Sequence, residues 1–486
     1  MPIAFAGLLE LLWRAPSWRR AMLVGWCFAV GQFVVGLNWI ATAFTFQAAM
    51  PAWLGLLAVV LLAFYLAAFI MFGVAAAWAI GGAIGRRNGP AMVLALAGGW
   101  VLTDYLRGTM FTGFAWNPVG ASLIDTPWLR AAPWLGTHGL SLIVVLVGGA
   151  LWLFAQPAWR RGSALAVALL TLTLLPAVPE AVVNKTTQMR IIQPNIGQDV
   201  KWQNGFDDVA ARKLIELSLR PSVASGPRLL LWPEVAITQP MQDGRGGNAP
   251  LFSRYERMRA ASVLRPGDLL LMGGVGLASR DKLNVAGSTN SVFVLDPRGN
   301  RLGRYDKAHL VPYGEYLPLR PLLSAIGLSQ LAPGDGDTLY GPGPRTIVLP
   351  SGLKVGFQIC YEIIFSGEVI DAANRPEWMF NPSNDAWFGR WGPPQHLAQA
   401  RLRAAEEGIP IIRATPTGIS AVIDAHGALL RSLPWKTAGV IDSALPAPSA
   451  APTWFAKIGN RWPLGLAAGL MLIAIAVARW GRYRHI

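Results

Sequence analysis

Cysteine is almost missing. The 486 residues contain two, Cys27 and Cys360, which excludes a disulfide framework. Histidine is scarce as well: five are scattered, with no HExxH and no paired-ligand spacing, so neither a metal nor a cofactor is expected. Charge is thin, at 14% of residues against 53% hydrophobic, and the mean hydropathy is +0.38. Those values argue against a soluble enzyme and for a membrane protein. Acidic residues are outnumbered by basic ones, 27 to 42. Such an excess can mark a nucleic-acid binder, but these arginines sit beside apolar runs. We read them as topology signals and as attraction for anionic headgroups, with no nucleic-acid partner. A basic n-region is absent too: the chain opens MPIAFAGLLELLW, with no cleavable signal peptide in view.

What the chain has in quantity is long apolar runs. Six lie at roughly 3–13, 21–42, 53–84, 91–106, 138–155 and 163–179, and a seventh, 463–480, closes the chain. A span takes ~20 residues, so the first and fourth are short, while the third is long enough to tilt or kink. Arg14, Arg19 and Arg20 follow the first run, Arg86 and Arg87 the third, Arg160 and Arg161 the fifth, and Arg479, Arg482 and Arg484 the last. The positive-inside rule places these clusters in the cytoplasm and residues from about 180 to 460 outside, in the periplasm of a two-membrane bacterium. Seven spans would start the chain outside, so a further helix ahead of Met1 is expected in the natural protein. Cys27, within GWCFAVGQFVVGLNWI, reads as a lipid- or helix-packed thiol. In 107–137 the side chains of Trp116, Trp128 and Trp134 suit the headgroup level, with the wall of a lipid portal as the alternative.

From about Thr187 the pattern changes. MRIIQPN, RLLLWPE, DLLLMGG, SVFVLD, RTIVLP, LKVGFQIC, EWMFNPSN and IPIIRAT read as buried strands bounded by Gly, Pro, Asn and Asp. FDDVAARKLIELSLR places Val209, Leu214, Ile215 and Leu217 on one helical face, and PPQHLAQARLRAAEEG begins and ends as helices do. The result is an α-helical membrane bundle plus an α/β domain. The expected boundaries are 1–183 for the N-terminal transmembrane helices, 184–456 for the periplasmic catalytic domain, and 457–486 for the C-terminal helix and cytoplasmic tail.

Reactive groups stand at or soon after three strands. LLLWPE runs into Glu234, GRYDKAHLVPYGEY presents Lys307 and Glu315, and VGFQIC ends in Cys360. Strand ends of an α/β sheet converge on one rim. Each residue alone has an ordinary reading: a loop charge, a surface cation paired with Asp306, a small packed hydrophobe. Together they suit nucleophilic catalysis. A carboxylate can take a thiol's proton, and an ammonium can hold the oxyanion of a tetrahedral intermediate. The N–H of Tyr361 would be a second donor. A free thiol in the periplasm also risks oxidation, which favours a reactive role for Cys360.

At these residues the chain resembles the nitrilase (carbon–nitrogen hydrolase) superfamily, whose fold is an αββα sandwich. With its spans it is similar to the membrane-embedded branch, the apolipoprotein N-acyltransferase family. WPE at 232–234, DKAHLVPYGEY at 306–316, ICYEI at 359–363 and SNDAWFG at 383–389 carry the resemblance, joined by Trp202 in QDVKW and by FTGFAWNPVG. It implies Cys360 as nucleophile, Glu234 as general base and Lys307 as oxyanion-stabilising cation. Glu315 would support Lys307, and Tyr361 and Glu362 would shape the pocket. Trp202 would lie near the acyl entrance. The implied reaction moves an acyl chain from a phospholipid, typically phosphatidylethanolamine, through a Cys360 thioester to the N-terminal amine of a diacylglyceryl apolipoprotein. Trp387, Phe388 and Trp391, on the Gly-rich NDAWFGRWGPP, are expected to contact lipid with Arg390 near phosphate; packing of this loop on its own domain is the alternative. One departure from the family is RATPTGISAVID, 413–424, where Pro416 brings no N–H. Two other classes use the same features less fully: a tethered amidase acting on a small amide, and a non-enzymatic transporter or scaffold. The spans hold few ionisable residues beyond Asp104 and Arg107, which disfavours the latter.

Overall fold

The computed structural model describes residues 1–46, 51–83, 88–157, 159–182, 187–198, 205–222, 226–325 and 338–483. Trp202, Arg86, Arg87 and Arg484 lie outside the described residues.

The apolar runs form helices α1 (Pro2–Arg14), α2 (Trp18–Gly36), α3 (Ile40–Ala43), α4 (Trp53–Trp78), α5 (Gly89–Thr109), α6 (Ala132–Phe154) and α7 (Trp159–Thr171). Among the described residues four helices are long and apolar enough to cross a membrane, counting the C-terminal one. A fifth is reached if α2 and the segment beginning at Ile40, bent by 48°, make one span. The short fourth run is thus a 21-residue helix, because Asn88 caps Ala91 N–H and the small residues Gly98 and Gly99 continue the helix at close contacts. A Cβ on Gly99 would meet the Gly73 carbonyl oxygen at 2.7 Å, so α4 and α5 meet backbone to backbone there. The first and sixth runs instead give 13-residue helices, α1 and α7, that pack on α6.

The α/β part begins with β1 (Gln188–Gln193), α8 (Phe206–Leu219), β2 (Arg228–Trp232), β3 (Pro240–Asp243), α9 (Ala249–Ala261), β4 (Leu269–Ala278), β5 (Gly287–Leu295), β6 (Arg301–Asp306) and α10 (Arg320–Ala325). It continues with β7 (Thr346–Val348), β8 (Lys354–Phe357), β9 (Trp378–Pro382), α11 (Gly392–Glu407), β10 (Ile411–Ala414), β11 (Ala421–Ile423), β12 (Leu429–Ser432) and β13 (Gly439–Ala444). Helices α12 (Trp454–Ile458) and α13 (Arg461–Tyr483) lead back to the bundle. One sheet has seven strands, ordered β13-β1-β2-β4-β5-β6 with β3 beside β4. The other has six, ordered β12-β11-β10-β9-β8-β7. Strands β2, β8, β9 and β10 hold mostly apolar residues buried on both faces, as two packed sheets covered by helices require. On α8, Leu214 and Leu217 are buried as expected and Ile215 partly so, but Val209 is exposed. Ala210 and Ala211 take the inward positions of that turn.

The two parts meet at a break in α6. Gly136 has φ +63°, and a Cβ there would strike the Phe455 ring at 2.2 Å, so only glycine fits. The helix restarted after the break exposes its N–H groups. Glu406 of α11 accepts from Thr137 N–H at 2.5 Å, and the carboxylate is held by Arg403 at 2.6 Å. Arg403 also donates to the Thr137 hydroxyl.

Candidate active site

Glu234 follows β2, Lys307 follows β6 and Cys360 follows β8, so the three residues come from the ends of strands in both sheets. Gly273 lets the Glu234 turn approach β4: a Cβ on it would meet Glu234 Cα at 2.6 Å. Lys307 is 1% exposed, with its Nζ 2.8 Å from Glu315 Oε2 and 3.8 Å from Glu234 Oε1. Asn290 of β5, absent from the sequence reading, ties the carboxylates together. Its Nδ2 donates to Glu234 Oε1 at 2.7 Å and to Glu315 Oε1 at 3.1 Å. Val311 N–H donates to Glu315 Oε2 at 2.9 Å. Burial opposes a charge on Lys307, but Glu315 and Glu234, with Cys360 adding to them, outweigh it and hold the ammonium protonated far above its ordinary range.

Cys360 opens a short 3-10 segment, Cys360–Ile364, and takes a left-handed backbone, φ +51°. Its thiol is buried. Burial pushes its pKa well above the ordinary thiol value and the Glu234 charge pushes the same way, against Lys307. The sulfur lies within electrostatic reach of both Glu234 and Lys307. The Asn384 N–H donates to it.

Glu362 is a bolt behind the site. Its Oε1 accepts from Tyr305 hydroxyl at 2.8 Å, Ala308 N–H at 2.8 Å and His309 N–H at 3.1 Å, and its Oε2 from Ile359 N–H at 2.7 Å. One carboxyl group thus ties the loop carrying Lys307 to the strand end carrying Cys360. Burial pushes it up to about 7, with the backbone N–H donors pulling the other way. The Tyr361 hydroxyl donates to the Gly113 carbonyl at 3.3 Å, joining the nucleophile's neighbour to the loop after α5.

That loop is built into the protein. Arg107, paired with Asp104 at 2.7 Å, donates to the carbonyls of Phe114 and Trp116 at 2.5 and 3.1 Å. Trp116 is fully buried, against the expectation of a headgroup belt, and its indole N–H donates to Gln395 at 2.8 Å. Phe388 is likewise buried, in ring contact with Trp39, Trp116 and His396, which corrects its expected place as a lipid contact. Trp387 is half-buried against Phe46, whereas Trp391 is 61% exposed with the Arg390 guanidinium over its ring. The Pro416 loop finds its bonds through Gln193, whose Oε1 accepts from Ser420 N–H at 3.0 Å and from the Thr415 hydroxyl at 3.3 Å.

A Cys, Glu and Lys gathered at the ends of strands from two facing sheets, on a chain with membrane-length helices, define a membrane-embedded carbon–nitrogen hydrolase. The family models agree: "Carbon-nitrogen hydrolase" matches residues 191–453 and "Apolipoprotein N-acyltransferase N-terminal domain" matches 1–150. The apolipoprotein N-acyltransferase of Rhodopseudomonas palustris is 36% identical, the match covering 94% of this chain and 85% of that protein. That of Rhizobium rhizogenes is 34% identical over 90% of this chain and 81% of its own. Among solved structures, Saccharomyces cerevisiae Nit3 of the nitrilase superfamily aligns with 55% of this chain and 93% of its own, at 16% identity and TM-score 0.38. The chain belongs to the apolipoprotein N-acyltransferase family and is a bacterial membrane acyltransferase. A non-enzymatic transporter or scaffold is thereby set aside.

Proposed function

We propose that this enzyme transfers a fatty acyl chain from a phospholipid, phosphatidylethanolamine foremost, to the N-terminal amine of a diacylglyceryl apolipoprotein through a thioester on Cys360. The observation that carries the proposal is the buried Lys307 between Glu315 and Glu234, in the electrostatic field of the Cys360 thiol. Glu234 takes the thiol proton as sulfur attacks the ester carbonyl. The ammonium of Lys307 and the N–H of Tyr361 hold the resulting oxyanion. Collapse breaks the ester C–O bond, and the proton on Glu234 goes to the departing lysophospholipid oxygen. In the second half the lipoprotein amine attacks the thioester, Glu234 takes a proton from the nitrogen, and collapse expels the Cys360 sulfur, which is reprotonated.

Glu315 keeps Lys307 charged and in place, and Glu362 keeps Lys307 and Cys360 in register. Trp202 and Trp391 remain proposed lipid contacts. The bulky apolar side chains Phe111, Tyr313, Leu319 and Leu322 stand exposed, the last three on the segment that follows Lys307, and suit a mouth open to lipid. Each acyl CH₂ is worth roughly 0.8 kcal/mol of hydrophobic transfer, so a lipid substrate requires a site at the bilayer surface. The arginine placement supports an inner-membrane location with a periplasmic catalytic domain, 184–456, between helices in 1–183 and 457–486.

The test uses the purified protein with phosphatidylethanolamine labelled in its acyl chains. Label should bind covalently without any acceptor, be released by hydroxylamine, and move to a diacylated lipopeptide added later. Transfer that requires donor and acceptor together, with no labelled protein at any time, would overturn the two-step reading.

A further inference from the structure

Behind Cys360 lies a buried polar relay that the three proposed reacting groups do not use. Asp385, His396 and Arg413 are each 0% exposed. Arg413 Nη2 lies 2.6 and 2.7 Å from the two Asp385 oxygens, and its Nη1 donates to Asn381 at 2.6 Å and Ser383 at 2.9 Å. His396 Nδ1 sits 2.9 Å from both Asp385 Oδ1 and Arg413 Nη2, and its Nε2 is 3.0 Å from the carbonyl oxygen of Cys360. That carbonyl can only accept, so Nε2 carries a proton and donates to it. Burial, with Arg413 adding to it, lowers the His396 pKa, while the Asp385 carboxylate beside Nδ1 pulls it back up.

Removing a buried ion pair in favour of apolar side chains is often neutral or stabilising, so stability alone is a weak reason for this relay. Its far end offers a better one. Cys360 is a non-glycine residue in the left-handed region, a conformation that persists only when its surroundings hold it. The peptide after it is trans, as are all described peptides. In a trans peptide the C=O and the following N–H point in opposite directions. A donor that fixes the Cys360 oxygen on one side therefore fixes the Tyr361 N–H on the other. Tyr361 lies in the first turn of the 3-10 segment, where an N–H has no acceptor within the helix. The imidazole in turn packs against both Trp116 and Phe388, at ring distances of 5.1 and 5.6 Å.

We infer that His396, oriented by Asp385 and Arg413, is a positioning residue: by gripping the Cys360 carbonyl it aims the Tyr361 N–H at the oxyanion formed on acyl transfer. The inference rests on the thioester mechanism proposed above. It distinguishes two reactions of one sulfur. Acylation builds an oxyanion, whereas alkylation by iodoacetamide is a displacement that builds none.

Wild type, His396→Phe and His396→Gln are compared for single-turnover acylation by phosphatidylethanolamine in detergent micelles and for iodoacetamide alkylation, both followed by mass on the Cys360 peptide. Phenylalanine keeps a ring in the aromatic wall without the donor, and glutamine keeps a donor. We expect His396→Phe to acylate about 100-fold more slowly while alkylating within about threefold of wild type. His396→Gln should recover roughly tenfold of the lost rate. Acylation by His396→Phe within about threefold of wild type would overturn the inference, as would an equal fall in both reactions, which marks a collapsed site. Should His396→Phe fail to fold, Asp385→Asn is read by the same ratio. A wild-type Cys360 that alkylates but takes no acyl group would instead overturn the thioester mechanism, and the inference with it.

Discussion

The two sheets contribute to the site by different physical means. On the seven-stranded side the side chains themselves are gripped. Lys307 is held by Glu315 and Glu234, and both carboxylates share Asn290. On the six-stranded side the backbone is gripped. Asn384 N–H reaches the sulfur, but Glu362 binds Ile359 N–H and His396 binds the Cys360 carbonyl. Charges that must face a transition state are well set by other charges, which act along the line of the reacting atoms. A small nucleophile has one rotatable bond, so its direction is set through the chain that carries it.

Mutations that break one side at a time should sharpen this contrast. Cys360→Ala has the largest effect: no acyl group should be found on the protein by intact mass, transfer should drop by about 10⁴-fold or more, and the unfolding temperature should stay close to wild type. Lys307→Met should follow. It removes the oxyanion cation and leaves Glu315 and Glu234 buried without their partner, so stopped-flow acylation should slow about 10³-fold and stability fall by about 3 kcal/mol. Glu362→Gln breaks the bolt between the sides. An amide nitrogen would face an N–H or O–H donor, costing about 1–3 kcal/mol in denaturant unfolding, and acylation should slow roughly tenfold through misplaced groups. Cys27→Ser, on the exposed face of α2, should change stability by no more than about 0.5 kcal/mol and acylation not at all.

Much of the architecture was legible in the sequence. The eight apolar strand segments, from MRIIQPN to IPIIRAT, all form strands, because buried strands of a two-layer sandwich carry dense apolar runs. A strand without such a run was not visible: β12 is exposed along its whole length. Val209 misled because the inward positions of its turn belong to Ala210 and Ala211, residues too small to dominate a hydrophobic pattern. Glu234, Lys307, Glu315 and Cys360 stood out because each sits in a motif next to a strand. Asn290 and His396 did not. Asn290 lies within a strand, and His396 is one polar residue in a helix whose partner is a carbonyl 36 positions earlier. Contacts to backbone leave no mark on the residue contacted. The tryptophan-rich segment after α5 has the composition of a membrane interface, but Trp116 and Phe388 use it to seat α11 against the bundle.

The central claim is that one sulfur carries the acyl chain between two lipids. Digestion of the protein after incubation with phosphatidylethanolamine alone, followed by mass spectrometry of the fragment containing GFQICYEIIF, tests it most directly. The account predicts a single fatty acyl mass on Cys360, lost within the time of one turnover when a diacylated lipopeptide is added. An unmodified Cys360 in protein that is actively transferring acyl groups, or an acyl group carried on another residue, would contradict it.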